Sequence, residues 1–595
     1  MSKLKKKSGR NRFSRKKIAE FYHESTDKVG KHFSDNFISR IQNAHEVRLW
    51  IIEWVLLVLA VFLFTIVQMM WYGDSYRKEA FVEGGDYSEA VLGEINTMNP
   101  LYADTNAEKV LGKLLFANLV SPDSSGHSKG ELAKSVKMDD SGRVWTVTLR
   151  DNIYWSDGEP IVADDIIFTT DLIRDTTAKT TVAADFTRVK TNKKDDKTVE
   201  FTLPSTYTDF TDTLEFPLLP SHILGDISHA LVFESDFSMH PVGSGPFVLN
   251  ALQTANVTSL NDQTIYLTRN TKYFMADTKL DTFTLKTYKN QEDIIQALNA
   301  SEVTATAELG ADSAERLRDG VSLRESLLNG GAFAFFNTKS DVLSNKSVRQ
   351  AISQGVDMGK VREGIDEYQY LNYPILERQM ELSYPDLPKY DLEAAKEAIK
   401  KAGFGRNSQD KIINKDGSAI TLNVAVQKRD TITRVAERFV EELKAIGFEV
   451  TLNIYDETQA GADFFTTVVR PRDYDILIYE VNLGVNADPF IYYSSTQATT
   501  GGWNFSNYSN GLVDDALLSA RTTTNNNTRK AKYEYFLKTW VNDAPAIGLY
   551  QSGLRYYFDS KVKIFSENLQ MTDVLDRFND VRYWASNKRS VNVTP

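Results

Sequence analysis

The spacing of apolar and polar positions divides the chain into two unlike parts. Trp54 to Gly73 (WVLLVLAVFLFTIVQMMWYG) carries no charge, and a bilayer-crossing helix needs about 20 such residues. Beyond it the pattern is shorter and mixed. Trp145, Val147 and Leu149 alternate with Thr146, Thr148 and Arg150, the two-residue period of a half-buried strand. Ser156-Asp157-Gly158 predicts a tight turn. Asp164 or Asp165 is then the expected cap of a helix carrying Ile166, Ile167, Phe168, Leu172 and Ile173. Val110, Leu114, Leu115 and Leu119 have helical spacing, as do Val435, Phe439, Leu443 and Ile446 before Gly447. Tyr390 to Phe404 predicts another helix, begun by Asp391 and stopped by Gly403, while Val450, Leu452 and Ile454 alternate as a strand. Helices followed by strands point to α/β lobes.

The flanks of the apolar run add direction. Lys3 to Lys17 contains nine Lys and Arg and no acid, which predicts a cytoplasmic N-terminus and an exported body. Trp50, Trp54, Trp71 and Tyr72 suit the two membrane interfaces. The run is too long for a cleaved leader and no small-residue cleavage site follows it, so an uncleaved anchor is expected. His23, His32 and His45 then fall on the cytoplasmic side.

Composition narrows the functional classes. At 595 residues the chain predicts two or three domains. Residues 1–48 hold 13 Lys+Arg against 5 Asp+Glu, so the overall charge of −11 hides a body of −19. An acidic body argues against nucleic acid as a partner. There is no cysteine, hence no disulfide and no thiolate site. No H-E-x-x-H, G-x-S-x-G or phosphate-loop pattern occurs, and His127, His222, His229 and His240 lack metal-ligand spacing. No catalytic residue, metal or cofactor is expected.

The central words say more. W-x-V-x-L-R at Trp145–Arg150, then WSDG-x-P at Trp155–Pro160 and A-D-D-I-I-F-T at Ala163–Thr169, resemble the signature of extracellular solute-binding family 5, the peptide/nickel-type ABC importer receptors. Val242-Gly243-Ser244-Gly245-Pro246-Phe247, Asn270-Thr271-Lys272-Tyr273-Phe274, Phe336-Asn337-Thr338 and Asp543-Ala544-Pro545-Ala546 resemble it too, so the likeness runs from Tyr87 to Tyr550. By residue pattern, the glycines of the second block are expected at a turn needing positive φ. The resemblance implies a two-lobed periplasmic-binding-protein-like α/β fold of the large peptide-binding type, behind an N-terminal transmembrane helix. The expected organisation is a basic cytoplasmic segment (1–48), an anchor (49–73), a linker (74–85), lobe I (86–325, with 546–595 returning to it) and lobe II (326–545). It implies capture of a short peptide or similar solute and delivery to ABC permease subunits, with the body outside the cell membrane. The alternative on the same fold is a tethered ligand sensor or surface-interaction protein.

An interlobe cleft calls for aromatic walls and a few convergent polar groups. By position the candidates are Tyr479, Glu480, Asn486, Asp488, Trp503, Asn504, Phe335 and Asn337, with Phe333, Tyr492 and Tyr493 beside them. For each aromatic, a place in a core is an equal reading. Peptide-binding relatives carry a Trp before the Asp-Pro dipeptide and an aspartate for the peptide amine; here that loop reads Asn482-Leu483-Gly484-Val485-Asn486-Ala487 before Asp488-Pro489. Neither is evident, so Glu480 and Asp488 are the substitutes, and a peptide with a free N-terminus is placed in doubt.

Overall fold

The computed structural model describes residues 48–75, 77–123, 126–181, 188–254, 261–275, 278–366, 369–456 and 463–592, with Lys31 and Phe186. The basic segment to residue 47, Lys31 apart, lies outside the described residues, as do His23, His32 and His45. The chain separates into two compact units, Met1–Ala80 with Arg589–Pro595, and Phe81–Lys588. In the first, Arg48–Ser75 is one helix of 28 residues. Its stretch Arg48–Trp71 is long and apolar enough to cross a membrane, and none of it is buried against protein. A helix apolar on all sides has no core-facing stripe, unlike the surface helix of a soluble domain.

A ten-stranded sheet runs through the second unit. In spatial order its strands are Glu449–Tyr455, Thr421–Gln427, Ile476–Asn482, Val321–Phe336, Ala546–Asp559, Ala305–Thr306, Asp86–Leu92, Thr282–Tyr288, Gln263–Arg269 and Phe247–Thr254. The long neighbours Val321–Phe336 and Ala546–Asp559 belong to both lobes. The Val321–Leu327 end pairs with Gly553–Asp559 and the Gly331–Phe335 end with Ala546–Gln551, the register breaking between Leu327 and Gly331. Gly331 sits at that break. A Cβ there would lie 2.3 Å from the Tyr550 carbonyl oxygen, so only glycine lets the two backbones approach.

Lobe II packs on both faces of its part of the sheet. Ala332, Ala334 and Phe336 join a core with the helix Asp430–Ile446, while Phe333 and Phe335 join a second core with Phe505 and Trp540. Strands covered on both sides read as continuous apolar runs, as Ala332–Phe336 does. Lobe I has its own core, from Tyr87 through Leu285 and again from Leu554 to Trp584. Its second sheet orders the antiparallel strands Ala133–Met138, Val144–Leu149, Thr198–Thr202 and Lys190–Asp195.

The signature segment has the predicted strand, turn and helix, with one correction. Trp145, Val147 and Leu149 are buried, Gly158 takes φ 103°, and the helix spans Ala163–Arg174. Its cap position is Val162, not an aspartate. Asp165 acts from inside the first turn: its carboxylate accepts from the Val162 N–H (2.9 Å), Trp155 Nε1 (3.2 Å) and Ser221 N (2.8 Å). One buried carboxylate thereby ties the turn, the helix and the 221 segment together. The glycines of Val242–Phe247 are a second correction. Neither has positive φ; Gly243 and Gly245 are small because a Cβ would lie 2.0 Å and 2.6 Å from Leu115 backbone atoms.

Lobe I also buries a complete ion pair. Arg577 Nη2 donates to Glu89 Oε1 at 2.6 Å, Tyr556 OH to Glu89 Oε2 at 2.5 Å, and the Tyr87 and Tyr556 hydroxyls meet at 2.6 Å. The first strand, the returning strand and the C-terminal segment converge on it. Removing one partner strands the other in a low dielectric and costs about 3–5 kcal/mol. Glu89→Gln is therefore expected to lower stability by about that amount in denaturant titration; an unchanged midpoint would show that the pair does not hold these three segments.

Candidate functional site

The lobes meet along a polar seam. From lobe I comes the segment after strand Thr198–Thr202, Tyr207 to Glu215; from lobe II come the loop after strand Ile476–Asn482 and two arginines, Arg521 and Arg529. The loop turns on Gly484, at φ 75°. Asn329 Nδ2 donates to Gly484 O (2.9 Å), and Gln379 Nε2 lies 2.9 Å from the Leu483 and Gly484 oxygens and 3.2 Å from that of Asn486. Asn486 and Asp488 are thus carried on a loop fastened from two sides.

Across the seam, Asn486 Nδ2 donates to Asp212 Oδ2 at 2.8 Å. Arg521 Nε pairs with Asp488 Oδ2 at 3.0 Å, and its guanidinium lies between the rings of Tyr207 (4.4 Å) and Phe490 (4.5 Å), an arrangement that adds cation–π attraction to the ion pair. Tyr207 OH reaches Asp488 Oδ2 at 3.4 Å. Thr208 donates through N and Oγ1 to the Arg521 carbonyl, at 3.2 and 3.1 Å. Arg529 pairs with Asp209.

The lobe I side of the seam is rich in carboxylates. Ser128 Oγ lies 2.6 Å from Asp212 Oδ1 and 2.7 Å from Glu215 Oε1. One hydroxyl hydrogen cannot satisfy both, so one carboxyl must itself carry a proton for both contacts to be bonds. Burial pushes Glu215 up to about 7 and raises Asp212. It also pushes Asp209 up to about 6, with Arg529 pulling the other way. Glu215 lies within electrostatic reach of Lys113 and Asp576. Both line a neighbouring recess of about 400 Å³ with Pro100, Asp104, Asn118 and Asp573.

The sequence candidates divide. Asn486 and Asp488 stand in the seam. Glu480 lies on the sheet nearby, accepting from Tyr550 OH at 2.8 Å and Ser552 Oγ at 3.2 Å. Tyr479 is half-buried and packs against Phe505, with ring centres 5.4 Å apart. Trp503 is 37% exposed and packs on Phe465. The others are placed inside lobe II. Phe333, Phe335, Tyr492 and Tyr493 are core residues. Asn504 is fully buried, its amide spent on the Ser494 and Tyr508 carbonyls; Asn337 is spent on Tyr474 O and Asn507. A polar side chain whose donors are satisfied internally has nothing to offer a solute. Tyr207, Asp209, Asp212, Glu215, Gln379, Arg521 and Arg529 were not among the candidates, and no spacing in the sequence marks them.

Among the described residues, no group of three or more His, Cys, Asp and Glu side chains is placed to hold a metal ion. His222, His229 and His240 each sit on a separate aspartate: Asp157, Asp175 and Asp236.

Two lobes joined by crossing strands, with a polar seam between them, define a solute-binding protein of the two-lobed periplasmic class. Residues 128–504 match the model of the bacterial extracellular solute-binding proteins, family 5 (middle region), and the chain belongs to that family. It is 27% identical over 517 residues to the oligopeptide-binding protein AppA of Bacillus subtilis, covering 83% of this chain and 92% of that one. Protein XP55 of Streptomyces lividans is 26% identical over 468 residues, with 76% and 81% covered. Among solved structures, AppA from Bacillus subtilis in complex with a nonapeptide aligns with TM-score 0.69 and 22% identity, over 85% of this chain and 99% of that one. NikZ from Campylobacter jejuni in complex with Ni(L-His) aligns with TM-score 0.68 and 21% identity, over 84% and 99%.

The sign of the seam's pH dependence follows from its carboxylates. An ordinary glutamate titrates near 4.3; Glu215 titrates higher in the folded chain, so the folded state holds the extra proton and stability falls as pH rises from about 4 through about 7. Glu215→Gln removes that penalty. It is expected to raise stability at about pH 8 by on the order of 1 kcal/mol and to change little at about pH 5. Paired denaturation curves at the two pH values check this; a variant less stable at pH 8 would contradict it.

Proposed function

We propose that this chain is a membrane-anchored, extracytoplasmic solute-binding protein of an ABC importer, which captures a short peptide or similar solute between its lobes and delivers it to permease subunits. The observation that carries the reading is the seam itself: a fastened loop and two arginines from lobe II facing a carboxylate-rich segment of lobe I, within a family of extracellular solute-binding proteins. AppA, a relative by sequence and by fold, was solved with a nonapeptide, and this supports a peptide as solute. The long apolar helix supports anchorage, with residues 1–48 cytoplasmic, 49–73 spanning and 74–85 a linker. We assign 86–325 and 546–595 to lobe I and 326–545 to lobe II. Tethering keeps a receptor near its transporter and raises its effective concentration there.

Native mass spectrometry of the full chain, purified from membranes in mild detergent, tests the proposal. A co-purified peptide series is expected, and peptide at 100 times Kd should stabilise the protein by about 2.7 kcal/mol. An empty chain that no peptide stabilises would shift the reading to a tethered sensor on the same fold.

A further inference from the structure

Lobe I holds a cavity of about 760 Å³ that stands apart from the seam. Its walls come from the hairpin of Val120–Pro122 with Ser128–Gly130, the Arg150 end of the signature strand, the Tyr273–Met275 segment and residues 578–583. None of the seam residues from Tyr207 to Glu215, in the 483–490 loop, or at Arg521 and Arg529 lines it. The hairpin divides the two places. Ser128 reaches Asp212 and Glu215 at the seam, while the next residue, Lys129, lines the cavity, as successive side chains of a strand point to opposite faces. The volume is that of a small-molecule site, which runs from about 300 to 1,000 Å³.

The charges of the cavity are unevenly engaged. Among its carboxylates, Glu131 accepts from Asn118 N at 3.0 Å and Ser121 Oγ at 2.5 Å, Asp151 pairs with Lys134 at 2.9 Å, and Asp123 accepts from His127 N at 3.2 Å. Arg150 donates from Nε and Nη2 to the Glu131 and Gly130 carbonyls. That leaves Lys113, Lys129 and Arg582, without an ion pair among the described residues, facing Asp580. Arg582 Nε is buried without a hydrogen bond, and the guanidinium lies 4.5 Å from the centre of the Tyr583 ring. A guanidinium stacked on a ring keeps its in-plane N–H fork free for the two oxygens of a carboxylate or phosphate. Tyr273 OH is within electrostatic reach of Arg582 and makes no hydrogen bond among the described residues; burial, reinforced by Glu131, raises its pKa, so it stays a protonated donor. Phe274 and Met275, both half-buried, leave apolar surface beside these donors.

We propose that this lobe I cavity is a second ligand site, taking a small ring-bearing oxyanion whose phosphate or carboxylate is held by Arg582 and Tyr273 and whose ring lies against Phe274 and Met275. A dianionic phosphate gains more than a carboxylate from Lys113, Lys129 and Arg582 together. Because its walls belong to one lobe, the site does not need the lobes to close, and the inference stands apart from the peptide reading of the seam.

Isothermal titration calorimetry of the full chain in mild detergent, with phenyl phosphate, benzoate and neutral benzamide as probes, tests the site. Wild type is expected to bind phenyl phosphate about tenfold more tightly than benzamide, with benzoate between them. Arg582→Gln should weaken phenyl phosphate about tenfold, and Tyr273→Phe, which removes one hydroxyl, about threefold. Benzoate bound as tightly as phenyl phosphate, and lost in Arg582→Gln, would make the held group a carboxylate, and the proposal holds. If Arg582→Gln melts well below wild type, Tyr273→Phe and Lys129→Gln decide: weaker binding in either upholds the site and undiminished binding in both overturns it. Asn486→Ala separates the cavity from the seam, since affinity kept in that variant supports the cavity and affinity lost would put the probe in the seam and overturn the proposal. Binding of none of the probes at millimolar concentration, or equal binding of all three, would overturn it too. A chain that retains peptide yet binds no probe loses this site and keeps its proposed function.

Discussion

Everything at the seam depends on two neighbouring strands, Val321–Phe336 and Ala546–Asp559, serving both lobes at once. Hydrogen-bonded through most of their length, they hold the lobes in a common sheet. Where the ladder breaks, between Leu327 and Gly331, backbones approach more closely than a Cβ allows. That break lies next to Leu328 and Asn329, and Asn329 holds the 483–486 loop. A bend there would leave each core intact, since the two cores of lobe II and the core of lobe I are separate clusters of side chains.

Charge distribution divides the labour between core and seam. In the lobe I core, Glu89 and Arg577 neutralise each other with two tyrosine hydroxyls in support. At the seam the ledger does not close. Asp209, Asp212 and Glu215 are lifted by burial, with Arg529, Asn486, Ser128 and Lys113 acting against that shift.

Much of the fold was legible in the sequence, because periodic burial and family words coincide there. Trp145-x-Val147-x-Leu149 is a strand, Gly158 a positive-φ turn, and Asp430–Ile446 a helix ended by Gly447. Two local readings went astray for physical reasons. Asp165 serves the helix end from its first turn because Trp155 and Ser221 also need its oxygens. Gly243 and Gly245 serve close packing on Leu115, which no local pattern reports. The site was much less legible. Asn486 and Asp488 lie in the seam on their loop, whereas Phe335 is on a strand covered on both faces and Asn504 is a buried loop residue. Tyr207 and Arg521 lie far apart in sequence, and only folding brings them into contact.

The absence of cysteine makes the central claim, that the lobes close on a solute, directly measurable. Lys137 of lobe I and Lys400 of lobe II are both exposed and can be replaced by spin-labelled cysteines in the full chain. Electron–electron resonance then reports the distance between lobes. Closure predicts a broad distribution in solute-free protein that collapses to its short end when a retained peptide is added back. A distribution that is the same with and without every peptide tested would contradict capture by lobe closure.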